Sequence, residues 1–357
     1  MRPIIFIVSI LLISCTSVSE QDFFSYLLSE SETTGNLSEI EVNHYGCTGL
    51  HLGNCMIRYP YLVTENDGEH LYVISDMDSR NLVGKFCKRG RAWNEPLSAL
   101  PVSEIYVKDG DLMADLFSYH DGKVLEWNIS QSIEDGKDCY SEIHQLKHLK
   151  RHVMPLLSFH NLSDSTIIGY NSAQNAVSDE LTCSPSYEIY SIDTGNLIKR
   201  HSLFNKIHLK TKDDRYKSKN FLALSDDIKP DRKRLVYAMR YMPVISIMDL
   251  SSGSVKGIIL KDKRKFTHRK RISHFIDIQA DDNYIYTLYY GQERKHKDSY
   301  PELFYVFDWD GNLVKEFHLS HHASEMCMDS DRIYLYNLDS DCLMYIEKES
   351  IMKYINH

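Results

Sequence analysis

One unit recurs along this chain: two runs of alternating apolar residues joined by a tight turn. Residues 302–319 read ELFYVFDWDGNLVKEFHL, with Asp310-Gly311-Asn312 at the turn, and a shorter copy, RIYLYNLDSDCLMYIEK, follows at 332–348. Earlier copies are YEIYSIDTGNLIKRHSL at 187–203 and LVYAMRYMPVISIMDLSSGSVKGIIL at 235–260. A strand pair of this kind cannot bury its own apolar face, so its repetition demands neighbours stacked around a shared core. Alternation punctuated by turn residues continues almost throughout, and no long helical periodicity competes with it.

Six such groups follow one another, beginning with MIRYPYLVT, HLYVISDM and NLVGKFCKRG between residues 56 and 90. Their period of about 50 residues suits the blades of a propeller. The last group is one outer strand short, and LSEIEVNHY at 37–45 is expected to supply it. Such a closure joins the two ends of the chain and removes the open edge of an incomplete ring. The expected fold is therefore all-β, a six-bladed β-propeller over 37–357 closed by an N-terminal strand. A two-sheet sandwich would not account for so many similar groups.

The N-terminus reads as a processing signal. Arg2 precedes an apolar stretch at 3–13 that is too short to span a bilayer. It ends in Leu12-Ile13-Ser14-Cys15, which resembles the bacterial lipobox. On that resemblance residues 1–14 are a lipoprotein signal peptide and Cys15 is the first mature residue, its thiol carrying the lipid. Several acyl chains on one residue anchor stably, since each buried methylene contributes about 0.8 kcal/mol. Residues 15–36, rich in Ser, Glu and Thr, read as a tether. Phe23, Phe24, Tyr26, Leu27 and Leu28 interrupt it and suit a short docking helix. The expected address is the cell envelope, as an outer-membrane lipoprotein facing either the periplasm or the surface.

The net charge of −9 argues against a dedicated nucleic-acid binder. Of eight cysteines, seven remain if Cys15 is lipidated, so at least one is unpaired in a monomer. No CxxC occurs, which leaves no zinc ribbon or thioredoxin-type site, and no motif calls for a cofactor. The remaining cysteines suit either disulfides in an oxidising compartment or buried structural thiols.

Taken together, the lipobox, the LYVISD strand at 71–76 and the LFYVFDWDGNLVKEF unit at 303–317 resemble the TolB-like six-bladed β-propeller lipoproteins of gut-dwelling Gram-negative anaerobes. The resemblance covers essentially the whole mature chain. In that family the first blade tends to run into a Gly-x-Gly-Pro-x-Glu turn. Here the segment is Gly90-Arg91-Ala92-Trp93-Asn94-Glu95, which keeps the first glycine and the glutamate but not the second glycine or the proline. These are motifs of fold, and many members of the family have no assigned activity.

Candidate ligand residues are sought where innermost strands would begin, around the central channel. His322 with Glu325 holds that position in the last group, His274 with Asp277 in the one before, and His160 in the third. Imidazole and carboxylate gathered there can bind a divalent metal or a ligand. Solvated loop histidines would leave the same trace, and no HExxH or other spaced metal signature is present, so no metal ligand is assigned. Two basic runs, 261–271 and 210–219, suit solvated inter-blade loops or a patch that holds acidic polysaccharide or lipid phosphate. Long connections at 171–186 and 292–301 would rim a recognition surface if both leave one face. There is no GxSxG, so a serine hydrolase is not supported. The leading expectation is a lipid-anchored binding module for a protein partner or a glycan. The rival is a propeller enzyme, a metal-assisted hydrolase, lactonase or lyase, acting on a sugar or polysaccharide in the channel.

Overall fold

The turn at Asp310-Gly311-Asn312 shows how the chain builds its repeats. Asp308 accepts hydrogen bonds from the backbone N–H of Asp310 (2.9 Å) and Asn312 (2.8 Å), closing the hairpin between strands Leu303–Asp308 and Leu313–Leu319. Gly311 takes φ +81°, and a Cβ there would lie 2.6 Å from Ile258 Cδ1 in the neighbouring sheet. Both the turn and the packing therefore require glycine.

The computed structural model describes residues 19–33, 37–45, 55–101, 104–118, 120–146, 156–171, 185–205, 222–261, 272–293, 301–337 and 342–356. Six antiparallel sheets follow in chain order as blades one to six, at 55–88, 100–145, 156–202, 224–261, 272–319 and 325–347. Within each, the strands pair as an antiparallel meander from the axis outward, the inner strand of blade two being split into Leu100–Pro101 and Tyr106–Lys108. Inner strands of successive blades run parallel. Ser225 Oγ donates to the Ile276 carbonyl (3.3 Å) and Asp227 Oδ2 accepts from Ala280 N–H (2.6 Å), so both strands advance together.

Six apolar clusters fill the six seams between neighbouring blades. Strand Arg234–Met239 shows the logic. Leu235, Tyr237 and Met239 join the cluster shared with blade three, while Val236 and Ala238 join the one shared with blade five. Both faces of a blade are buried, so its strands read as near-continuous apolar runs, each side chain contributing about 1.5–3 kcal/mol.

The ring is closed by the N-terminal chain, as the missing outer strand predicts, but with a narrower pairing. β1 (Leu28–Glu32) lies parallel on the outer strand of blade four, β2 (Ser38–Ile40) lies parallel on that of blade five, and β3 (Asn43–His44) completes blade six. Asn43 and His44 pair with blade six, opposite Tyr345 and Met344, and Tyr45 N–H bonds the Leu343 carbonyl (2.9 Å), where the sequence suggested one strand from 37 to 45. The chain crosses from one blade edge to the next, so a single continuous strand cannot serve both.

The stretch expected as a loose tether, 15–36, is largely laid down on the ring. A 3₁₀ turn, Glu20–Phe23, replaces the expected docking helix. Phe23 and Phe24 are buried in the blade three–four seam beside Phe204, Tyr170 and Tyr237. Two further differences are local. MIRYPYLVT is a hairpin, Cys55–Arg58 and Tyr61–Glu65, because Pro60 turns the chain. Two short helices, Ile129–Asp135 and Lys348–Ile355, also appear, the first capped by Asn128 accepting from Gln131 N–H (2.8 Å). No described helix is long and apolar enough to cross a membrane. Cys15 and the signal segment lie outside the described residues, as do 172–184, 294–300 and most of both basic runs.

Candidate functional site

The inner strands of all six blades enclose an axial cavity of about 170 Å³, lined among others by Cys55, Glu104, His160, Asp226, Asp227 and Cys327. Its acids bond from blade to blade. Asp226 accepts from Ser158 Oγ (2.6 Å) and Tyr187 Oη (2.7 Å), both in blade three, and His160 Nε2 lies 3.2 Å away. Asp227 bonds Ile228 N–H (2.7 Å) in its own blade and Ala280 N–H (2.6 Å) in blade five. Asp277 likewise bonds Ile278 N–H (2.9 Å) and, across the next seam, Met326 N–H (2.8 Å). Glu325 accepts from the Tyr336 hydroxyl.

Their electrostatics follow from burial. Burial alone would lower the His160 pKa, but the charge of Asp226 and the contact between them outweigh it and raise it. Asp226 shows the matching balance, with burial opposed and overcome by His160, Ser158 and Tyr187, so its pKa falls. The two form an ion pair whose Asp226 side chain is 2% exposed. Asp277 is pushed up to about 7, chiefly by burial, with the Met326 N–H opposing and the Glu325 charge adding to the rise. Burial also raises Glu325 and Asp227.

Of the expected residues, His160 lines this cavity; Asp277 and Glu325 lie on the inner strands of blades five and six, and the other two lie elsewhere. His274 sits in the seam of blades four and five, its Nδ1 3.0 Å from Tyr289 Oη and its N–H bonded to the Arg240 carbonyl (2.7 Å). Pairing slips on both sides of Phe275, so simple alternation does not relate His274 to Asp277. His322 is on the surface, Nε2 3.2 Å from Glu302 Oε1, because the innermost strand of blade six begins only at Glu325. Among the described residues no three His, Cys, Asp or Glu side chains gather so as to hold a metal ion. Sequence reasoning missed Asp226, Asp227 and Glu104. The signal available was Asp226-Asp227 inside an otherwise strand-like run, where an acid pair implies a buried polar contact.

A second concavity, about 440 Å³, opens between blades two and three. It crosses the strands of blade two, with Tyr106, Asp115, Glu126 and Glu142 on that side, and Asn161 and Arg232 facing them. Tyr106 Oη donates to Asp115 Oδ1 (3.1 Å), Asn161 also bonds Asp115, and Lys108 Nζ bridges to Glu126 (2.9 Å). Asn161 Oδ1 is buried without a protein partner. Burial raises the Asp115 pKa, with Asn161 and Tyr106 opposing. No single motif encodes this groove, since its residues come from three blades.

Six blades of four or five strands around an axial channel define a six-bladed β-propeller, an architecture that serves as a general interaction scaffold. Over residues 43–331 the chain matches the family described as TolB-like 6-blade propeller-like. It belongs to that family. The chain is similar in fold to a crystal structure of a DUF4221 family member from Bacteroides vulgatus, at 11% identity and a TM-score of 0.55, with 91% of this chain and 98% of that one covered. It also aligns with U3-55K at 11% identity and a TM-score of 0.45, covering 82% of this chain and 79% of that one. No curated protein matches the chain.

Proposed function

We propose that this protein is a lipid-anchored envelope module that binds a glycan in the groove between blades two and three. The observation carrying this reading is the contrast between the axial cavity and this groove. The axial cavity, about 170 Å³, is below the roughly 300–1,000 Å³ of ordinary ligand sites. Two of its acids, Asp226 and Asp227, already bond neighbouring blades together. The groove, at about 440 Å³, falls within that range. Carboxylates, an amide, a guanidinium and a tyrosine line it, a set that both donates to and accepts from sugar hydroxyls. A protein partner would favour a contiguous apolar patch, whereas the exposed Leu27, Tyr59, Trp93, Val107 and Ile198 belong to different blades and connections.

The anchor reading rests on the lipobox ending at Cys15. Phe23 is docked on the ring, so the free span from Cys15 is only about 25–30 Å even when fully extended. The propeller would therefore ride close to the membrane.

Calorimetric titration with soluble oligosaccharides tests the binding reading. A saturable ligand should bind about tenfold more weakly to Glu142→Gln or Arg232→Ala. No saturable binding, or variants that bind like the parent, would refute it. For the anchor, Cys15→Ala should move the protein from the membrane fraction to the soluble fraction and abolish labelling by a fatty-acid probe.

A further inference from the structure

We infer that Cys55 and Cys327 form a disulfide that closes the ring covalently at the seam of blades six and one. Their sulfurs lie 2.9 Å apart, about 0.9 Å longer than a disulfide bond. Cys55 opens the inner strand of blade one, and Cys327 sits in the inner strand of blade six. The two positions are 272 residues apart in sequence.

Position gives the bond its purpose. Asp227 and Asp277 stitch the inner strands of blades four to five and five to six through backbone N–H groups. At the six–one seam the described inner-strand contact is this thiol pair, packed against Ile57, Leu62, Tyr334 and Leu343. Nearby, the N-terminal chain completes blade six through a short edge, Asn43 and His44 of β3 with Tyr45 N–H on the Leu343 carbonyl. A cross-link here would tie the first blade to the last where a propeller opens most easily.

The chemistry requires a disulfide oxidant, either a protein dithiol oxidase or glutathione disulfide, acting while the seam is still forming. The Cys55 thiolate attacks the oxidant disulfide and expels one thiolate. The Cys327 thiolate then attacks Cys55 Sγ in the mixed disulfide and expels the second. The oxidant takes two electrons, and the two protons lost by the cysteines pass to the released thiolates. Cys55 is only half-buried and enters first. Cys327 is buried, its thiol pKa raised by that burial, and acts as the resolving thiol.

Residues 16–357, reduced and unfolded, would be refolded with reduced and oxidised glutathione, quenched in acid, denatured, alkylated and digested without reductant. The expected product is one peptide pair joining Cys55 to Cys327, with an oxidised melting midpoint above the reduced one. In Cys55→Ser that redox difference in melting should vanish. Full alkylation of both cysteines, or their linkage to other cysteines, would overturn the inference. The peptide map of the unsubstituted protein decides the matter even if the variant does not fold.

Discussion

Replacing Asp277 with asparagine isolates one buried acid of the channel. Its carboxyl is pushed from an ordinary 3.8 up to about 7, so between those values the folded protein holds a proton that the unfolded chain has released. Stability then falls as pH rises, because protons are bound in excess by the native state. The contribution is fully present below the unfolded value and is lost as pH passes the folded one. The slope from this single site is at most about 1.4 kcal/mol per pH unit, or on the order of 4 kcal/mol across the window. Asparagine does not titrate, and its single carbonyl oxygen can serve only one of the Ile278 and Met326 N–H groups that Asp277 holds on separate oxygens, a loss that adds a pH-independent offset. Glu325, Asp227 and His160 titrate in both proteins and largely cancel in the difference. Urea unfolding of parent and Asp277→Asn at about pH 5, 6 and 7 measures that difference. The parent should lose about 1 kcal/mol per unit relative to the variant. A difference that stays flat with pH would refute the assignment of Asp277 as a buried, protonated stitch.

Phe24→Ala should cost about 3–5 kcal/mol, because the ring is buried 5.6 Å from Phe204. Adding Phe23→Ala should cost much less than its own single effect, since a peeled strap has nothing further to lose; denaturant titration of the three variants checks both statements. Asp226→Ala leaves His160, Ser158 and Tyr187 without their shared acceptor and should destabilise by about 3–5 kcal/mol. Asp226→Asn should cost less, and thermal melts compare the two.

Blade five was legible because an Asp-Gly-Asn turn separates two strands whose alternation is strict, and both of its faces are buried. Blade one was harder. Tyr59-Pro60 sits between residues that are equally apolar on either side, so one run hid two strands. The strap was illegible for a different reason. β1 is Leu-Ser-Glu-Ser-Glu, and its pairing to blade four is made by backbone groups that any composition supplies. Its buried part is two phenylalanines, which look the same in a tether as in a seam. Histidine was a poor guide to the axis because it suits surfaces, seams and channels alike. His160 reached Asp226, while His322 stayed on the surface with Glu302.

The central claim is that the N-terminal chain laces the outer edges of blades four, five and six. Hydrogen exchange on residues 16–357 and on a version beginning at residue 46 tests it most directly. Without the lace, amides along Val255–Lys261, Leu313–Leu319 and Cys342–Glu347 should lose protection, while the inner strands keep theirs. Unchanged protection along those three outer strands would contradict the account.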